Sequence, residues 1–180
     1  AYTPKSLLVK KSGGNWLSFD PGALPNEGIA GQVLIDASGQ KWILLPRQDG
    51  GIAVYDDRGT PDNPLDDRKK VLNFNEGSGN IPGNQIFSMA MDLNGQIWVG
   101  TNEGIGVFYS PENVFGGSDF DAQRILIQQD VYTQYLLEFE YVTAIAVDGA
   151  NRKWFGTASG GVFLMSEDGT KQILHFVVDN

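Results

Sequence analysis

Four sets of side chains in this 180-residue sequence are of types that can do chemistry: a histidine, a repeated aspartate, a repeated tryptophan and an acidic loop. His175 is the sole imidazole, so any nucleophilic or acid–base mechanism built on histidine depends on it. It stands in the apolar run Gln172–Phe176, with no serine or aspartate at a nucleophile-elbow spacing, and reads as a structural residue on an outer strand. Asp36, Asp92 and Asp148 could act as paired carboxylates, but each opens a turn in its own copy of a repeat, which would hold the three well apart. The segment Asp56–Arg68 offers oxygen ligands to a hard cation through Asp56, Asp57, Asp62, Asp66 and Asp67. It lacks the alternation of a calcium loop, and Arg58, Arg68 and Lys69 neutralise part of it, so it reads as a solvated, mobile loop. Trp42, Trp98 and Trp154 could stack a sugar, yet their equivalent places in three copies point to core filling. No catalytic residue, metal or cofactor is expected.

The elements that must position these residues follow from the repeat itself. Asp36, Asp92 and Asp148 are spaced by 56 residues, as are the three tryptophans, and each Asp stands six residues before its Trp. Such a period marks a stacked-repeat protein. An apolar run precedes each Asp and reads as an inner strand. The next four residues suit a tight turn, in which the carboxylate accepts a backbone N–H and Gly39, Gly95 or Asn151 takes positive φ. A hairpin follows, Gln96–Thr101 then Ile105–Tyr109 in the middle copy, and an outer strand closes each unit: Lys70–Asn75, Arg124–Gln128 and Gln172–Phe176. Four antiparallel strands per repeat describe a propeller blade. The fold class expected is all-β, a β-propeller arc of about three complete four-stranded antiparallel blades plus a two-strand half blade. The half blade covers residues 5–20 and the blades 31–75, 84–128 and 141–176, as a single partial propeller over 1–180.

The repeat, Asp-x-x-Gly-x-x-Trp followed by Gly-Thr and a further glycine, resembles the two-component regulator propeller family, and Asp92–Gly106 fits it closely. Asp148–Gly161 departs at Asn151, and Asp36–Gly51 carries Leu44-Leu45-Pro46-Arg47 in place of the Gly-Thr pair. Within that family, Lys41–Arg47 together with Gly161–Phe176 most resembles the propeller component of the type IX secretion cell-surface attachment complex. That resemblance implies a link to anionic lipopolysaccharide and a partner sortase.

Composition narrows the partners. A formal net charge of −9 removes the basic footprint that nucleic-acid binding requires and disfavours docking on an anionic membrane. With no cysteine there are no disulfides, thiol nucleophiles or zinc–thiolate sites. No apolar run reaches the roughly 20 residues of a membrane span, so no membrane insertion is expected of this segment.

Three features exceed what the repeat needs: Arg47 in its Pro-Arg-Gln-Asp-Gly-Gly loop, the exposed-looking pair Asn102-Glu103, and the aromatic linker Tyr132–Tyr141. Arg47, Asn102, Glu103, Tyr132 and Tyr135 are therefore the candidate binding residues, although burial of Tyr135 and Phe139 between blades accounts for those two as well. The linker spacing suits a helical turn or a strand equally. The leading reading is a non-catalytic, exported recognition or scaffold module of the periplasm or cell surface, binding a glycan, a surface polysaccharide or a secretion-complex protein. The ligand-sensing ectodomain of a hybrid two-component sensor is the alternative, and a propeller lyase ranks third. About fourteen strands fall short of the closed propellers of four to eight four-stranded blades. The chain is accordingly expected to be an arc of a longer protein or a protomer that completes a ring, with homodimers forming through its open ends.

Overall fold

A computed structural model of the chain describes residues 7–11, 13–19, 30–46, 50–129 and 132–177. The fold is a β-propeller arc. Strands β1 (Leu7–Lys10) and β2 (Trp16–Phe19) form an antiparallel hairpin. The first blade pairs β3 (Val33–Ile35), β4 (Lys41–Leu45), β5 (Gly51–Asp56) and β6 (Arg68–Leu72) in sequence order. The second pairs β7 (Ile86–Met91), β8 (Ile97–Thr101) and β9 (Gly104–Phe108). Strands β10 (Leu126–Gln129) and β11 (Tyr132–Tyr135) make a separate hairpin. The third blade comprises β12 (Val142–Val147), β13 (Lys153–Thr157), β14 (Val162–Met165) and β15 (Gln172–Phe176).

Side-chain alternation explains the stacking. Trp42 and Leu44 of β4 join Ile52, Val54 and Leu72 in facing Met89, Ile97, Val99 and Phe108 of the second blade. Ile43 and Leu45, on the opposite face, pack with Ala53 and Tyr55 against Leu17 of β2. A second core holds Trp98, Ile105 and Val107 against Val142, Phe155, Phe163 and Met165. The Trp42–Phe108 and Trp98–Phe155 ring pairs, 5.1 Å and 6.0 Å between centroids, sit at corresponding seams. On the far side of the third blade Trp154 is half-buried and stacks on Phe176, while Val162, Leu174 and Phe176 are exposed.

The repeated aspartate and tryptophan turn out to be one unit. Asp92 Oδ1 accepts the amide N–H of Asn94 and Gln96, both at 2.9 Å, and Oδ2 accepts the indole N–H of Trp98 at 3.0 Å. Asp36 holds Ser38, Gln40 and Trp42 in the same way, and Asp148 holds Ala150, Arg152 and Trp154. A carboxylate that closes the turn and satisfies a buried indole explains why the two residues repeat at a fixed spacing of six.

Two expectations need correction. The second blade has three laddered strands, because Arg124–Gln128 does not continue along β9. Val107 and Gln123 exchange a single pair of backbone hydrogen bonds, both 2.9 Å, and the chain then leaves. It is pinned just before that point, where the Asp121 carboxylate accepts the amides of Gly77 and Gly79 and Ala122 N–H donates to Gly79 O. The outer strand of the first blade likewise runs over Arg68–Leu72 instead of Lys70–Asn75, since Asn73 accepts the Asn75 amide and turns the chain away.

The acidic insertion is also more engaged than a solvated loop. Asp56 and Asp57 are buried and pair with Arg68 (2.5 Å) and Lys41 (2.8 Å). Tyr55 Oη donates to Asp67 at 2.6 Å, Thr60 Oγ1 to Asp66 at 2.8 Å, and Lys11 pairs with Asp62. Burial and the bond to Asp67 push the Tyr55 hydroxyl well above its ordinary pKa. Each of these carboxylates therefore already has a protein donor.

Candidate functional site

The linker between the second and third blades builds a feature that stands apart from the repeat. After β11 the chain makes a tight turn over residues 136–140, with Glu138 N–H donating to Tyr135 O and Glu140 N–H to Leu137 O. Leu137 adopts φ +53°, a left-handed conformation that costs a branched residue about 1–2 kcal/mol. Such strain persists only where surrounding contacts determine it, and it recurs at ligand sites. Here Gly104 N–H donates to Glu140 O at 3.2 Å and Ala158 N–H to Tyr141 O at 3.0 Å. The turn is thus clamped between the start of β9 and the loop following β13. Gly104 is part of that clamp: with φ +84°, a Cβ there would lie 2.6 Å from Leu136 O.

A cleft of about 390 Å³ opens between this turn, the β10–β11 hairpin and the blade-two-facing side of the third blade. Its walls include Gln128 and Gln134 from the hairpin, Glu138, Phe139 and Glu140 from the turn, and Phe163, Gln172 and His175 from the blade. His175 Nε2 faces Gly160 O at 2.6 Å and so carries the proton it donates to that carbonyl. The imidazole is stacked on Phe163 with centroids 3.9 Å apart. Gly160 also meets the Glu140 carboxylate: a Cβ there would lie 2.5 Å from Oε1. Glu140 Oε2 is buried and has no hydrogen-bond partner among the described residues.

Arg124, which sequence reasoning passed over, braces the cleft from behind. Its guanidinium donates to Glu103 O at 3.1 Å, lies 3.7 Å from Glu138 and sits 4.1 Å above the Tyr135 ring. In the sequence it is only the basic first residue of the expected outer strand Arg124–Gln128, and nothing in its spacing pointed to Glu138.

The sequence-derived binding residues scatter around this site. Tyr132 is 75% exposed and Glu103 is exposed. Tyr135 is half-buried under Arg124, whereas Phe139, for which burial was equally expected, is 82% exposed. Asn102 is half-buried, and its Oδ1 accepts the amides of Asn84 (3.1 Å) and Gln85 (2.9 Å), so it supports the loop entering β7. The linker resolves its ambiguity as strand and then turn. Arg47 lies outside the described residues. Asp36, Asp92 and Asp148 hold their turns and Trp42 and Trp98 fill the seams, whereas Trp154, expected to fill the core like the other two, is half-buried on the far face of the third blade.

Comparison with known proteins agrees with the geometry. The profile of the family described as two component regulator propeller matches residues 80–103. Among solved structures the chain is similar to PorZ, described as an essential bacterial surface component of the type-IX secretion system of Porphyromonas gingivalis. Identity is 29% and the TM-score 0.77, over 91% of this chain and 23% of PorZ. Streptogramin B lyase (15% identity, TM-score 0.56, 92% of this chain and 46% of that one) shares the fold. So does the extracellular domain of a putative hybrid two component system, BT4673, from B. thetaiotaomicron (16% identity, TM-score 0.54, 95% of this chain and 24% of that one). No curated protein matches the chain. The chain spans less than a quarter of PorZ and less than half of the lyase.

Proposed function

We propose that this chain is part of an exported β-propeller that recognises a partner without catalysis, acting at the periplasm or cell surface as a scaffold or recognition module of a secretion-associated complex. The observation that carries this reading is the likeness to PorZ, which spans nearly the whole chain at 29% identity. The candidate catalytic groups support it, because each is already engaged in folding. His175 is stacked on Phe163 and bonded to Gly160, and the three repeated aspartates hold turns and indoles. The binding face is the one carrying the clamped turn, Tyr132 and Glu103. Its partner is a protein or a surface glycan.

The sensor-ectodomain reading ranks second, on the family match over residues 80–103. Protease accessibility in intact cells tests export: the native protein should be cleaved by an added protease or released with the periplasmic fraction. Recovery in the cytosolic fraction alone would overturn the proposal.

A further inference from the structure

The lining of the cleft has a definite electrostatic character. Glu138 and Glu140 contribute two carboxylates, and neither lysine nor arginine is among the lining residues. Arg124 meets Glu138 at 3.7 Å, which leaves Glu140 as the carboxylate without a basic partner among the described residues. Its Oε2 is enclosed by protein yet accepts no hydrogen bond, an arrangement that costs more for a charged acceptor than for a neutral one. His175 does not relieve it, since its Nε2 proton is committed to Gly160 O. Beside this acceptor Phe139 stands 82% exposed, a large apolar side chain on a tight turn that holds it away from both cores. An unpaired carboxylate oxygen, a second carboxylate and an exposed aromatic face form a complementary set for one kind of ligand. It brings several N–H donors, carries positive charge, and has a flat or compact head with an apolar stem.

We infer that this cleft binds an alkyl guanidinium or alkyl ammonium group. The Glu140 carboxylate is the charge-assisted acceptor, once its side chain turns the enclosed Oε2 into the cleft, with Glu138 lining the same cleft and Phe139 covering the face or stem of the cation. The arrangement suits the arginine or lysine side chain of a partner protein, and a free diamine shares the same chemistry. A neutral sugar could hydrogen-bond to the glutamine amides, but it would leave the Glu140 charge uncompensated, and an anionic glycan would be repelled by it. The inference rests on the reading of this face as a recognition surface and narrows it to a basic group.

The test is an NMR titration of the full 180-residue chain, following backbone amides, with capped Gly-Arg-Gly as the probe. Parallel arms use the isosteric capped Gly-citrulline-Gly, putrescine and maltotriose. The arginine peptide should shift the amides of residues 136–141, 160–163 and 172–175. Its affinity should drop at least tenfold in Glu140→Gln and fall with added salt, and the citrulline peptide should bind at least tenfold more weakly. A response to putrescine without one to the peptide assigns the cleft to free diamines within the same proposal. Should Glu140→Gln fail to fold, Phe139→Ala at the exposed rim provides the second variant, with a severalfold loss expected. Equal binding of the citrulline peptide, or no shift of the cleft amides by either cation at millimolar concentration, would overturn the inference. Maltotriose shifting the same amides would overturn it too while leaving the recognition reading intact.

Discussion

Lys153 Nζ and Asp92 Oδ2 lie 3.0 Å apart with both side chains wholly buried, so a strand of the third blade reaches into the turn of the second. The same ammonium donates to Asn151 O at 2.8 Å and Glu167 O at 2.6 Å and sits 4.7 Å from the Trp98 ring centroid. Asn151 completes the joint, its Oδ1 accepting the Leu93 amide at 2.9 Å. Burial works to raise the Asp92 pKa, but hydrogen bonds from Lys153, Trp98 and the Gln96 amide outweigh it and hold the carboxyl below its ordinary value of 3.8.

Breaking this pair from one side leaves a buried charge uncompensated, at a typical cost of about 3–5 kcal/mol. Lys153→Met should therefore lower stability by that order in urea unfolding at pH 7, and adding Asp92→Asn should restore part of the loss. A single variant as stable as the parent would show that the pair is not closed in solution.

The same carboxyl sets a pH dependence. Because its folded pKa is depressed, Asp92 contributes stability that is complete above its unfolded value near 4 and lost as pH falls through the folded value. The unfolding midpoint should decline below about pH 4, and Asp92→Asn should flatten that decline. Asp148, drawn down to about 2 when its bonds with Arg152, Ala150 and Trp154 outweigh desolvation, adds to the slope in the same direction. Chemical denaturation at half-unit steps from pH 6 to pH 2.5 measures both.

The three tryptophans should differ in spite of their equivalent places. Trp98 is fully buried at a seam, and Trp98→Ala should cost about 3–5 kcal/mol, the usual range for a large aromatic in a core. Trp154 is half-buried on the far face of the third blade, and Trp154→Ala should cost clearly less. Equal thermal shifts for the two would place them in equivalent surroundings.

Two glycines of similar φ separate backbone strain from collision. Gly39 has φ +80° with open space where a Cβ would be, so Gly39→Ala should cost about 1–2 kcal/mol for the left-handed conformation alone. Gly104 has φ +84° and the Leu136 carbonyl in that place, so Gly104→Ala should cost more and loosen the clamped turn. Amide exchange across residues 136–141 would report the loosening, and parity between the two variants would rule the clamp out.

Tyr132, being 75% exposed, can be truncated with little effect on folding, within about 0.5 kcal/mol. If its face meets the partner, Tyr132→Ala should reduce retention of that partner on the immobilised chain while the melting curve stays in place. Unchanged retention would move the contact elsewhere on the surface.

Much of the architecture was legible because it recurs. Asp, Gly or Asn, and Trp at fixed offsets reveal turn, strand and seam together, and the β-propeller follows. What escaped was whatever one copy does alone. Lys41 and Lys153 occupy the same place before their tryptophans, yet Lys41 pairs with Asp57 of its own blade and Lys153 with the neighbouring one. Arg124–Gln128 reads like any outer strand, and only the hold of Asp121 on Gly77 and Gly79 diverts it. The cleft was invisible for a related reason: Glu140 and His175 meet at Gly160 through three separate connections, none of which has a sequence period. The aromatic linker did point to the right region, though to Tyr132 and Tyr135 more than to Phe139 and Glu140.

The single exchange of hydrogen bonds between Val107 and Gln123 has an evolutionary consequence. Beyond it the β10–β11 hairpin is free of the register that fixes every strand in a blade, where a slip of one residue would turn each side chain to the wrong face. Its two arms can lengthen or shorten together, and doubling a connecting loop adds only about 0.6 kcal/mol of closure cost. Selection can thus resize one wall of the cleft, residue pair by residue pair, without touching the aspartates and tryptophans that keep the blades stacked.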